Sequence, residues 1–105
     1  MTHSLVNYDD VDPVAGGLHF LRDSLGCSNL GVSVLDVEAG WSGKAHDHAG
    51  DGEEEVYVLV DGEATITVGD ETVSMSAGDA LRVDPEATRR IDADADSLFV
   101  IAGAP

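Results

Sequence analysis

The chain has 105 residues, enough for one domain with a modest core, and 43% of them are hydrophobic, which excludes a disordered tail. Twenty-one acidic residues face only five basic ones, for a formal net charge of −16. Such a charge repels nucleic acid and anionic membrane surfaces, and no apolar run approaches the length that crosses a bilayer, so neither is expected as a partner.

Residues 1–13 are polar and acidic and read as a loose arm or an edge strand, with no basic, apolar leader in Met1 to Asp10. Gly16-Gly17 then leads into Leu18, Leu21 and Leu25, whose spacing of three and four predicts one short helix or turn ending at Gly26. Leu18 to Arg22 would serve equally well as the start of a strand. Cys27 is the only cysteine, which excludes a disulfide framework and a thiolate metal cluster. A reduced thiol suits the cytosol, so a soluble, cytoplasmic chain is expected.

From Leu30 the pattern is that of strands. Val32 and Val34 alternate with small or polar neighbours, and Val37 follows. Glu55 to Val60 contains an unbroken apolar run, predicting a strand buried on both faces. Asp61-Gly62 predicts a two-residue hairpin, after which Ala64, Ile66 and Val68 alternate with Thr65 and Thr67. Gly69-Asp70 predicts a second tight turn, with Val73 and Met75 pointing inward beyond it; Ala77-Gly78-Asp79 turns again. Leu81 and Val83 flank Arg82, and Leu98 to Ile101 predicts a last buried strand. Short strands at close spacing, punctuated by Gly and Asp, predict one all-β sandwich or barrel domain over residues 1–105, its core at about 30–102.

The segment that carries chemistry runs from Gly40 through His46 and His48 to Glu55 and Gly62. Two histidines at i and i+2 on an extended segment project to the same side of a sheet. A carboxylate from a neighbouring strand then completes two imidazoles and an acid with positions left open, the arrangement of non-haem iron sites. Zn²⁺, Mn²⁺, Ni²⁺ and Co²⁺ accept the same ligands. Glu55 shares strand parity with Glu53, Tyr57 and Leu59, so Glu55 and Glu53 are the parity-matched carboxylates and Glu54 faces the other way. One divalent metal ion (Fe, Zn, Mn or Ni) is expected on His46, His48 and one of these two, with Glu55 taken as the ligand. The neighbouring acids Asp47, Asp51, Glu53, Glu54 and Glu55 do not follow EF-hand spacing.

The spacing resembles the first cupin motif, G-x5-H-x-H-x(3,4)-E-x6-G, except that six residues rather than three or four separate His48 from Glu55. The second cupin motif is half present: Ser76-Ala77-Gly78-Asp79 matches its turn, but Arg89 stands where that family has its last histidine. The resemblance implies a cupin jelly-roll β-barrel with at most one short helix near the N-terminus. It also implies a metal near the middle of the barrel and a homodimer. It names no reaction, because the fold hosts oxygenases, lyases, isomerases and non-catalytic modules. A metal-dependent oxygenase or lyase acting on a small polar or anionic molecule is one expectation. A non-catalytic ligand- or metal-binding module, or a structural homodimer with a decayed site, is the other.

Arg89, Tyr57 and Trp41 are the expected small-molecule contacts. Arg89 cannot ligate a metal; it either turns to solvent and pairs with carboxylates, or presents its fork to a bound anion. Tyr57 either offers its hydroxyl inside the barrel or fills it, and Trp41 either lines the mouth or packs. His3 and His19 lie outside the pattern. The scatter of carboxylates over turns and strands points to a halophilic source, where molar salt shortens the Debye length to about 3 Å and screens self-repulsion.

Overall fold

The computed structural model describes residues 2–105. Eight antiparallel strands form two facing sheets. The larger has the order β1 (Leu18–Phe20), β2 (Gly31–Val37), β8 (Ser97–Ala104), β3 (Glu54–Asp61) and β6 (Ala80–Val83). The smaller has the order β5 (Glu71–Ser76), β4 (Glu63–Val68) and β7 (Arg89–Ala93). Its far edge is extended by the loop after β2, which bridges β7 at Ser42–Asp92 and His46–Arg89. The result is a jelly-roll β-barrel.

Alternation sets the core. Leu35, Tyr57, Leu59, Phe99 and Ile101 of the large sheet meet Ala64, Ile66, Met75, Ile91 and Ala93 of the small one, and all are buried. The N-terminal region carries a single 3-10 turn at Tyr8–Asp10, and a one-turn helix α1 at Arg22–Leu25. Both readings of the Leu18 segment therefore apply in succession: Leu18–Phe20 is a strand, Arg22–Leu25 a helical turn, and Gly26 closes it in the left-handed region.

Two expectations need correction, and one strand was not expected. Asp61-Gly62 is not a hairpin, because β3 pairs with β6 and β8 while β4 pairs with β5 and β7. The chain changes sheets there, at a bulge between Leu59 and Asp61. Gly62 is needed at φ 104°, where a Cβ would overlap the backbone of Asp96 and Ser97. Gly69-Asp70, by contrast, does close the β4–β5 hairpin.

β3 is also not buried on both faces: Tyr57 and Leu59 are fully inside, whereas Val60 is 50% exposed and Val56 and Val58 lie on the outer face. The same alternation runs through β8, whose Val100 faces outward. Finally, β7 went unpredicted. Its Arg89-Arg90-Ile91-Asp92-Ala93 run hides an inward triplet of Arg89, Ile91 and Ala93 behind three charges.

Candidate metal centre

His46 and His48 sit on the loop between β2 and β3 where it runs beside the small sheet. Backbone pairing fixes both: His46 exchanges amide–carbonyl bonds with Arg89 at 3.0 and 2.9 Å, and the His48 amide donates to the Pro85 carbonyl at 2.8 Å. Glu55 enters from the second residue of β3, one position past the outward Glu54, which pairs with Arg82. Strand parity thus aims Glu55 at the two rings.

One ligand atom from each of His46, His48 and Glu55 lies within 4.8 Å of the others. The Glu55 Oε1 is 3.3 Å from His48 Nε2 and 3.9 Å from His46 Nε2. The opposite ring nitrogens are held outward. His48 Nδ1 is 3.0 Å from Asp51 Oδ2, and His46 Nδ1 is 3.3 Å from the Lys44 carbonyl. Carboxylate and carbonyl only accept, so in the neutral tautomer that donates from Nδ1 the lone pair is on Nε2, facing Glu55. An outward acceptor that fixes the tautomer is the usual support of a metal-binding histidine. The donor set therefore fits a divalent ion of the imidazole- and carboxylate-binding kind.

The His48 bond holds the Asp51 carboxyl below the usual carboxylate range. Asp51 also accepts from the Glu53 amide, so the six-residue gap folds back on itself and still delivers Glu55. His48, Asp51 and Glu53 make a second group of close ligand atoms, but Glu53 is engaged at 3.7 Å by Arg22.

Tyr57 is 1% exposed and its hydroxyl donates to Glu55 Oε1 at 2.6 Å. Burial first, and then this bond, raises its pKa well beyond the ordinary tyrosine range, so the hydroxyl keeps its proton. Trp41 is half-buried, and its Nε1 donates at 2.9 Å to the carbonyl of Ala15, whose own φ is 51°. Trp41 lines a cavity of about 370 Å³ together with Leu18, Leu35, Ile91 and Ile101, and with the triad of His46, His48 and Glu55. Lys44 lines it as well, a residue to which sequence reasoning gave no role. The signal was there: Lys44 is two residues before His46 and so shares its face.

Arg89 does not turn to solvent. The residue is 1% exposed, its Nη2 donates to the Asp84 carbonyl at 3.1 Å, and its Nε and Nη1 have no partner. Directly opposed residues of an antiparallel pair point to the same face, so Arg89 lies on the face of His46, although it is not among the residues lining the cavity. The remaining histidines lie elsewhere. His19 is buried on the other face of the large sheet, bonded to the Val11 carbonyl and edge-on to Tyr8, and His3 contacts Thr2.

Residues 33–102 match the family model of the cupin domain. A cupin protein from Bacteroides fragilis is similar in structure at 30% sequence identity, covering 94% of this chain and 83% of that one with a TM-score of 0.71. An RmlC-like cupin from Shewanella frigidimarina aligns at 20% identity over 100% of this chain and 95% of its own, TM-score 0.77. A predicted oxalate decarboxylase from Thermotoga maritima aligns at 20% identity, covering 96% and 98%, also with a TM-score of 0.77. No curated protein matches the chain.

Proposed function

We propose that this chain, which belongs to the cupin family, holds one divalent metal ion on His46, His48 and Glu55 and acts on or binds a small anionic molecule beside it. The observation that carries the proposal is the orientation of the two rings, each held outward at Nδ1 so that both Nε2 atoms face Glu55. A bound ion would supply Lewis acidity or a site for O₂, the chemistry of an oxygenase or lyase. The chain's own residues do the rest: Tyr57 holds the Glu55 carboxylate and Asp51 holds His48.

One observation favours a second reading, a binding module without turnover. Arg89 occupies the place of the family's last histidine, and its buried positive charge opposes a second one nearby. The metal is then held more weakly than by four ligands.

Metal analysis of purified protein tests the proposal, with expected occupancy near one divalent ion per chain. A His46→Ala, His48→Ala double variant is expected to lose it, and Glu55→Ala to weaken binding more than Glu54→Ala. A double variant that keeps its metal, or a wild type that takes none when supplied with Fe, Zn, Mn and Ni, refutes it.

The proposal extends to the setting. The whole chain acts as one domain that pairs with a second copy. The row Val34, Val100 and Val58 and the row Val32, Ala102 and Val56 cross the middle of the large sheet's outer face without a carboxylate. In a chain of net charge −16 that face is where a second copy meets least repulsion. The excess of carboxylates supports a salt-rich source, and the lone Cys27, with no disulfide, supports a cytoplasmic one. No helix among the described residues is long and apolar enough to cross a membrane.

A further inference from the structure

The five basic side chains of this protein are not used alike. With 21 carboxylates in the chain, every cation has partners to choose from. Arg22 pairs with Glu53, Arg82 with Glu54 and Asp84, and Arg90 with Asp92. Lys44 and Arg89 pair with no carboxylate among the described residues, and these two flank His46. Lys44 lines the cavity two residues before it, and Arg89 is its cross-strand neighbour.

Keeping Arg89 this way is costly. A buried guanidinium without a counter-charge pays desolvation that nothing inside the protein returns, and two of its nitrogens have no hydrogen-bond partner. Its charge nevertheless stands directly across the strand pair from His46. In a low-dielectric interior such a charge acts over several ångströms without contact.

The cavity wall adds a second constraint. The Trp41 N–H is already engaged by Ala15, so the indole offers the cavity only its carbon surface, and Leu18, Leu35, Ile91 and Ile101 offer nothing else. The polar side chains that line the cavity are few: the triad, Lys44, Tyr57 and Ser33. A wall of this kind rejects a fully hydrated molecule such as free phosphate and accepts an apolar body.

We infer that the ligand of this cavity is an organic anion with a compact apolar body. Its carboxylate-like end lies at Lys44 and the triad, where Arg89 adds positive field, and its hydrocarbon or aromatic part lies against Trp41, Leu35 and Ile91. The inference rests on the reading that the small molecule binds at this site, and it narrows that molecule from polar or anionic in general to amphiphilic.

The test uses the sole tryptophan, Trp41, as reporter. Its fluorescence is titrated with benzoate, benzyl alcohol and acetate at one fixed salt concentration where circular dichroism shows the fold intact. Zn²⁺-supplied and chelator-stripped protein are both titrated, and zinc content is measured on the same samples. Benzoate is expected to bind about tenfold more tightly than benzyl alcohol, the gain of a charged over a neutral hydrogen bond. It is also expected to bind about tenfold or more tightly than acetate, which lacks the ring to bury.

The order should hold in stripped protein too, so a failure of zinc to bind counts against a zinc site and leaves this inference standing. Lys44→Met, at an exposed position, should cut the preference for benzoate over benzyl alcohol at least threefold, and Arg89→Met should cut it as well if that variant folds. Benzyl alcohol binding as tightly as benzoate, acetate binding as tightly as benzoate, a Lys44→Met variant with the preference intact, or no response to any of the three overturns the inference.

Discussion

Arg89→Met is expected to make the protein more stable. The arginine is 1% exposed, with Nε and Nη1 unpartnered and only Nη2 bonded, to the Asp84 carbonyl. Each unsatisfied buried donor costs about 1–3 kcal/mol, and the charge has no carboxylate in contact. Methionine fills a similar length without polar atoms and adapts to an irregular gap. Against the relief stands the loss of the Asp84 bond, worth about 0.5–1.5 kcal/mol. Replacing buried charge by a matched apolar side chain typically stabilises by about 1–4 kcal/mol, and that range is expected here. For a domain of this size each kcal/mol raises Tm by about 4–8 °C. Urea unfolding and thermal melting by circular dichroism, at one fixed molar KCl concentration, measure both. A variant less stable than wild type by about 1 kcal/mol or more would refute the reasoning: Arg89 would then be a satisfied structural residue, and its charge would no longer argue for a ligand. A variant that gains stability and loses benzoate affinity would show a site kept at the expense of the fold.

Two further outcomes follow from the charge. Tm should fall steeply as KCl drops from molar to about 0.1 M, where the Debye length grows to about 10 Å and 16 net charges repel; a flat profile removes the argument for a salt-rich source. Light scattering at high salt should report a dimer, and a Val58→Glu, Val100→Glu variant, carrying two new charges on the outer face, should report a monomer. A wild-type monomer would leave that apolar face without its proposed partner.

The fold was legible wherever hydrophobic period and turn residues agreed. β4 and its hairpin to β5 are plain in the alternation from Ala64 to Val68 and in Gly69-Asp70. Asp61-Gly62 carried the same signal and meant something else, because a Gly at a sheet-to-sheet corner and a Gly in a hairpin both serve backbone at positive φ. Only long-range pairing distinguishes them. The valines of β3 misled for a related reason: an apolar outer face reads as a buried one when the sequence does not say what covers it. β7 was hidden by its charges, and its inward arginine looks like a surface residue until burial is known.

The site was legible to the extent that parity is. The i, i+2 histidines, the parity of Glu55 with Tyr57, and the outward Glu54 all follow from side-chain alternation, and the structure brings His46, His48 and Glu55 together as that alternation directs. The gap of six residues was the element that parity could not reach, since a loop has no fixed period. Its geometry explains why the extra length does no harm. The amides of Asp51 and Gly52 turn back to the His48 carbonyl, at 3.2 and 2.8 Å, so the insertion closes as a turn on the histidine itself. That closure places Asp51 against His48 Nδ1 while its other oxygen accepts from the Glu53 amide at the entry to β3. A tighter connection of the usual length would have no residue to spare for this bond. The same insertion that weakens the family resemblance in the sequence thus supplies the carboxylate that aims His48 at Glu55. Departures from a motif's spacing are therefore better judged by what the added residues bond to than by how many they are.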